Sequence, residues 1–319
     1  MTDRAPIAIF GYRRPDSLAR LLASLTRCPG FADSQVYVFL DGPRGDRDAA
    51  DVARTRAVAD GLVRPGIEVI ASTANRGLRR SVHAGVSQVL ARHDRVIVLE
   101  DDLEVAPCAL DYFDRALIAY RDADQVKAVS GFAYDVPGLR DSTEAFFLPF
   151  AASWGWATWA RAWEGFGIDG DAYAPLLRSR AFRHRFGAQG AIRANVMLDM
   201  QLRGLIDSWY ILWNAFITAQ GGLCLYPPRS VTKNAGHASA GATHSNWLNP
   251  FNHMLARHDA NAPLLADAAN LGFPPDIRTD FARLDAIVES WHCRTHRYST
   301  DLGHLRRALT QWRRHRSAR

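Results

Sequence analysis

Short apolar runs alternate with stretches of helical spacing through the first half of the chain. Pro6-Ile7-Ala8-Ile9-Phe10 is a strand-like run stopped by Gly11. Asp16 to Arg27 then places Leu18, Leu21, Leu22 and Leu25 on one helical face. Val36-Tyr37-Val38-Phe39-Leu40 reads as a second strand, followed by a helical stretch over 47–63. Ile67-Glu68-Val69-Ile70 is a third strand, 78–92 a helix, and Arg95-Val96-Ile97-Val98-Leu99 a fourth strand. Strands this short and β-branched, separated by helices, predict an α/β fold with a parallel sheet covered on both faces. After about residue 145 the regularity breaks into a tryptophan-rich segment opened by Ser153-Trp154-Gly155-Trp156-Ala157-Thr158-Trp159. Helices are predicted near 175–205 and 208–220, a strand over 222–226 stopped by Pro227-Pro228, and helix from 250 onward. The two halves are expected to share one sheet. The division is 1–145 for a nucleotide-binding half, 146–250 for an acceptor and catalytic half, and 251–319 for a helical extension.

Composition narrows this further. Of the 319 residues, 48% are hydrophobic and 23% charged, enough apolar side chain for a sizeable core. No window approaches 18 uninterrupted apolar residues, and the N-terminus has no signal-peptide core, so a cytoplasmic protein without a spanning helix is expected. Cys28, Cys108, Cys224 and Cys293 lie far apart and read as reduced apolar side chains. The net charge of +6 is local: from His292 to Arg319 eight arginines face only Asp301, while the remainder carries 31 basic against 32 acidic groups. Leu305, Leu309 and Trp312 beside Arg306, Arg307, Arg313, Arg314 and Arg316 suggest a basic amphipathic helix. It either lies peripherally on an anionic membrane or packs with a solvated arginine face.

The sharpest feature is Glu100-Asp101-Asp102, three adjacent carboxylates directly after a buried strand. Such groups repel one another and resist desolvation, and a divalent cation removes both problems. Hard carboxylate oxygens suit Mn²⁺ or Mg²⁺, which also bridges a diphosphate. The alternative is a solvated acidic turn. Ligands of open α/β sheets bind outside the carboxyl ends of the strands. Other polar groups fall there too: Tyr12, Arg13 and Arg14 after the first strand, Asp41 after the second, Asn75 and Arg76 after the third. A tyrosine face can stack on a base, a carboxylate can accept from a base or ribose, and arginine offsets phosphate charge. Singly each could be a plain turn or a packed aromatic; converging on one edge they favour a nucleotide.

As a set, these segments resemble a known family. Tyr12-Arg13-Arg14-Pro15, Asn75-Arg76-Gly77-Leu78 and Leu99-Glu100-Asp101-Asp102 look like bacterial GT-A glycosyltransferases similar to the Golgi N-acetylglucosaminyltransferase I group. Trp154-Gly155-Trp156-Ala157-Thr158-Trp159, Asp207-Ser208-Trp209 with Trp213, and Thr243-His244 fit the same branch, and the resemblance spans roughly 5–250. It implies a GT-A fold and an inverting hexosyl- or N-acetylhexosaminyltransferase. The donor would be a nucleotide sugar, usually UDP-linked, with a divalent metal. The acceptor would be a glycan, a glycolipid or a small molecule, as in polysaccharide biosynthesis, and no nucleic acid is expected. By this carry-over Asp102 holds the metal, Glu100 and Asp101 lie near the ribose and donor sugar, and Asp207 matches a catalytic carboxylate. One departure is Tyr210, where relatives often carry a second Asp three residues later.

Inverting transfer needs a base opposite the leaving diphosphate, and Asp207 is the candidate. Its other reading is the N-cap of the following helix. His244 could complete the metal shell, while His237 reads as idle. Trp156 is expected to touch donor or acceptor through its indole face, against the commoner fate of core packing. The rivals are a sugar-1-phosphate nucleotidyltransferase and a non-catalytic carbohydrate-binding protein. The first lacks its glycine-rich loop here, and the second leaves Glu100-Asp101-Asp102 unexplained.

Overall fold

The computed structural model describes residues 4–62, 64–136, 138–187, 194–235 and 262–296, the side chains of 291–296 excepted. The predicted strands form β1 (Ile7–Gly11), β2 (Val36–Leu40), β3 (Ile67–Ala71) and β4 (Arg95–Glu100). Between them lie α1 (Pro15–Leu25), α2 (Asp46–Asp60) and α3 (Leu78–Leu90). Then follow β5 (Leu103–Val105), α4 (Ala109–Ala119), β6 (Val126–Ser130), β7 (Phe146–Leu148), β8 (Trp156–Trp159) and the single turn α5 (Ala160–Trp163). A 3₁₀ stretch, Gly170–Arg178, precedes α6 (Arg180–Phe186), α7 (Ala194–Leu202), α8 (Trp209–Ala219), β9 (Leu223–Tyr226), β10 (Thr232–Asn234) and α9 (Phe281–His296).

One eight-stranded sheet has the order β3-β2-β1-β4-β8-β6-β9-β7, and β5 pairs with β10 in a small second sheet. The expected α/β class holds, with a large central sheet flanked by helices. Strands β3, β2, β1 and β4 are mutually parallel, as the βαβ pattern requires. The sheet is not parallel throughout: β8 runs antiparallel to both β4 and β6, and β7 antiparallel to β9. It crosses residue 145, since β6 lies between β8 and β9.

Both faces are buried, which the two-residue period of β1 makes visible. Ile7 and Ile9 join α1 and α4 in one core, while Ala8 and Phe10 join α3 and α8 in the other. A Cβ on Gly85 would come 2.6 Å from the Phe10 ring, so α3 sits on β1 only because glycine stands there. Four tryptophans fill the second core: Trp156 stacks on Trp163 and Trp209 at 5.8 and 5.2 Å, and Trp213 lies 4.8 Å from Trp163.

Two helical expectations are corrected. The 175–205 span is broken because Pro175 holds a 3₁₀ turn and the Ser179 hydroxyl caps a new helix at the Phe182 amide. Among the described residues of the extension, 262–280 is largely irregular, consistent with Pro263, Gly272, Pro274 and Pro275, and helix begins at Phe281, while 250–261 lies outside them. This stretch covers the exposed edge of β7 through bridges Glu144–Gly272 and Phe147–Thr279, and Leu284 and Ile287 of α9 enter the core. Among the described residues, no helix is long and apolar enough to cross a membrane. The predicted basic amphipathic segment at 300–319 lies outside them.

Candidate functional site

The carboxyl ends of β1 to β4 bring the predicted polar residues to one edge. β4 delivers Glu100 and, in the turn that follows, Asp101 and Asp102. The Asp101 amide donates to Phe10 O at 2.9 Å, fixing this turn to the end of β1. Asp101 Oδ2 accepts from the Tyr12 amide at 3.2 Å, and Glu100 Oε1 from the Trp209 indole at 3.3 Å. The cation facing the cluster is Arg14, 3.0 Å from Asp102 Oδ2 and 3.6 Å from Asp101 Oδ1. Arg14 precedes Pro15 at the start of α1, and its guanidinium, a donor that cannot cap the helix N–H groups, reaches the acids. Desolvation first, and then the charge of Asp102, push the Glu100 and Asp101 carboxyls above the ordinary carboxylate range. Among the described residues, three acids therefore share one arginine. This is the electrostatic state a further cation would relieve.

The β2 end is built the opposite way. Asp41, 7% exposed, accepts four hydrogen bonds. Oδ1 takes the amides of Gly42 at 2.9 Å and Arg76 at 2.8 Å; Oδ2 takes the Gly77 amide at 2.9 Å and Asn75 Nδ2 at 3.0 Å. Asn75 Nδ2 also donates to Gly42 O at 2.9 Å, and its Oδ1 accepts from Arg44 Nε at 3.3 Å. Gly42 allows the two loops this close: a Cβ there would stand 2.5 Å from the Ala74 backbone. Asp41 and Asn75, expected to bind the nucleotide, clamp the β2 and β3 loops together, and these hydrogen bonds engage their polar atoms. Tyr12 donates its hydroxyl to Asp48 and accepts from the Arg44 amide at 3.3 Å. Desolvation, reinforced by the Asp48 bond, raises the phenol's pKa. The Arg13 and Arg44 guanidinium groups each lie 5.8 Å from the Tyr12 ring centre. Arg13 and Arg76 are exposed at the same rim.

Asp207 stands before α8 with its side chain 57% exposed and ion-paired to Arg79 of α3. It is not the helix cap: the neighbouring Ser208 hydroxyl accepts from the Ile211 amide at 3.4 Å. A Cβ built on Gly77 would lie 3.4 Å from Asp207 Oδ2, so this acid borders the β3 loop. Tyr210 turns inward and donates to Ala151 O at 3.0 Å. Burial holds its phenol well above the usual range. Trp156, expected to touch donor or acceptor, lies within the tryptophan core. It is 1% exposed, and Trp163, Trp209 and Trp213 surround its ring. Lys233 pairs with Glu104 at 3.0 Å. His244 and His237 lie outside the described residues; the described chain leads toward that segment beside the cluster, where the Ala235 amide donates to Asp102 O at 2.8 Å.

Trp209 and Arg79 were not anticipated as site residues, and Arg14 was expected at this edge without its acidic partners. Arg14 and Trp209 stand in segments that carry the family resemblance, but nothing local tells that an arginine turns to acids 88 residues away. Arg79, which holds Asp207 and also donates to Ile168 O at 2.6 Å, had no signal at all.

Among the described residues, no three His, Cys, Asp or Glu side chains converge as a ready-made metal cage. The donor set still fits Mn²⁺ or Mg²⁺ shared with a diphosphate, because such ions take one or two carboxylates and complete their shells with water and phosphate oxygen. Asp102, half-buried and facing Arg14, is the carboxylate suited to that place.

No protein-family description and no curated protein matches this chain. Solved structures do resemble it. One is the mannosyltransferase PcManGT from Pyrobaculum calidifontis in complex with GDP-Man and Mn²⁺, at 13% identity and TM-score 0.39, over 69% of this chain and 70% of that one. Another is GalNAc-T7 with UDP, GalNAc and Mn²⁺, at 13% identity and TM-score 0.43, over 72% of this chain but only 43% of that one. A third is an active-site mutant of LgtC, at 14% identity and TM-score 0.39, over 89% of this chain and 95% of that one. These likenesses are partial.

Proposed function

We propose that the chain is an inverting, metal-dependent glycosyltransferase of GT-A type, similar to the N-acetylglucosaminyltransferase I group. It moves a sugar from a nucleoside diphosphate, UDP by the resemblance, to a hydroxyl of a glycan, glycolipid or small molecule. The observation that carries this reading is the under-neutralised Glu100-Asp101-Asp102 cluster at the carboxyl end of β4, with Arg14 facing it. In this reading residues 1–145 bind the nucleotide and 146–250 the acceptor, while 262–280 of the extension covers the sheet edge.

Asp102 would hold Mn²⁺ or Mg²⁺, with His244 as a further ligand; the ion supplies positive charge against the leaving diphosphate. Arg14, already at the cluster, adds fixed positive charge on the same side. Glu100 and Asp101 orient the ribose and donor sugar, while Tyr12, Arg13 and Arg76 border the nucleoside. Asp207 takes the proton from the acceptor hydroxyl, and Arg79 holds its carboxylate toward the rim.

Calorimetry tests this on the full chain. UDP binds with Mn²⁺ and weakens strongly without it, and Asp102→Ala removes the metal dependence. Metal-independent binding would overturn the reading. Binding without transfer to any sugar acceptor would leave a carbohydrate-binding protein, and pyrophosphate release from a nucleoside triphosphate would make it a nucleotidyltransferase.

A further inference from the structure

The groups left over at the β2–β3 end are hydrogen-bond donors. Both oxygens of Asp41 are filled by the Gly42, Arg76 and Gly77 amides and Asn75 Nδ2. Both Asn75 N–H groups donate, to Asp41 and Gly42 O, and its Oδ1 accepts from Arg44. The Tyr12 hydroxyl is held between Asp48 and the Arg44 amide. Arg44 and Arg76 are exposed at the rim. The Arg76 guanidinium has no hydrogen bond or ion pair among the described residues, and Arg44 offers its remaining N–H groups beyond the one on Asn75. These loops lie two to three strands from the β4 carboxylates, roughly 10–14 Å away. That span suits the distance from a diphosphate to the outer edge of its base.

We infer that Arg44 and Arg76 determine base specificity, reading the donor nucleotide through the acceptor edge of a keto base. The inference rests on the reading above that the nucleoside lies at this end. A guanidinium can only donate. It pairs with the O4 carbonyl of uracil, or with O6 and N7 of guanine, and meets the exocyclic amines of cytosine and adenine donor against donor. Asp41, which could have accepted from a base N–H, is a positioning residue: it holds the Arg76 amide and, through Asn75, the Arg44 side chain.

Calorimetric titration of the full chain with UDP, GDP, CDP and ADP, all with Mn²⁺, tests it. UDP and GDP are expected to bind about tenfold or more tighter than CDP and ADP. Arg44→Ala with Arg76→Ala brings the four within about threefold of one another, and Arg44→Glu, which replaces donors by acceptors, shifts preference toward CDP and ADP. Both side chains are exposed, so the variants keep the wild-type thermal midpoint, which checks that folding is not the cause. Equal affinities in the wild type, or discrimination that survives the double substitution, would overturn the inference and leave nucleotide binding standing. Failure of all four nucleotides to bind would overturn the reading on which it rests.

Discussion

Two sets of acids share one sheet edge and are treated in opposite ways. Asp41 is buried with four donors on two oxygens. Among the described residues, Glu100, Asp101 and Asp102 share one arginine, one indole N–H and one amide as their side-chain partners from elsewhere on the edge. A fully bonded carboxylate is finished by the fold itself, and one with surplus charge is finished by something added. Substitution should separate them. Asp102→Ala is expected to lower transfer at least a thousandfold, about 4 kcal/mol of transition-state stabilisation, with the metal-free thermal midpoint unchanged or raised. Asp41→Ala should do the reverse. It leaves at least two loop amides without a partner and costs about 3 kcal/mol in denaturant unfolding. If Asp102→Ala unfolds the protein as readily as Asp41→Ala, the contrast is wrong.

Trp209 is the seam between the tryptophan core and the acids, stacking on Trp156 at 5.2 Å while its N–H donates to Glu100. Trp209→Phe keeps an aromatic ring but removes the donor, leaving Glu100 with less to offset its burial. Metal-free stability should fall by about 1–2 kcal/mol, part from the lost bond and part from the smaller ring. No change in unfolding free energy would mean that Glu100 is solvated and the cluster less strained than its geometry implies.

How far the sequence disclosed this arrangement depends on the range of the interaction. Ile7, Ile9, Val96 and Val98 announced strands because a buried strand is a local apolar run, and the edge followed from where those runs end. The acid triplet was legible because its repulsion is written in adjacent residues. The surroundings of Asp41 and Trp156 were hidden for a shared reason: whether a polar oxygen or an aromatic face is already engaged depends on partners distant in the chain. For Asp41 these are loop amides 34–36 residues away, and for Trp156 three tryptophans on other elements. The antiparallel insertion of β8 beside β4 was hidden likewise, since a four-residue strand states no direction.

The smallest effect lies at the other end of β4 and serves as the control for the comparison. His93 accepts from or donates to Tyr37 Oη at 2.9 Å, edge-on to its ring, with Arg92, Asp94 and Arg95 around it. Desolvation outweighs the nearby Asp94 charge, and Arg92 and Arg95 add to the lowering, so the imidazole is held neutral below its ordinary range. The unfolded chain takes up that proton near pH 6.5, before the folded one does. Stability is therefore fully present above this value and is lost as pH falls through it toward the lowered folded pKa. His93→Gln, which keeps a bond to Tyr37 but cannot titrate, should flatten the fall in thermal midpoint between pH 7 and 5. It should leave nucleotide affinity untouched, because the acids at the carboxyl end of β4 lie a full strand away. An unchanged slope would return His93 to ordinary solvation. A change in nucleotide affinity would show that the two ends of β4 are coupled, and that surplus charge at one end is not confined there.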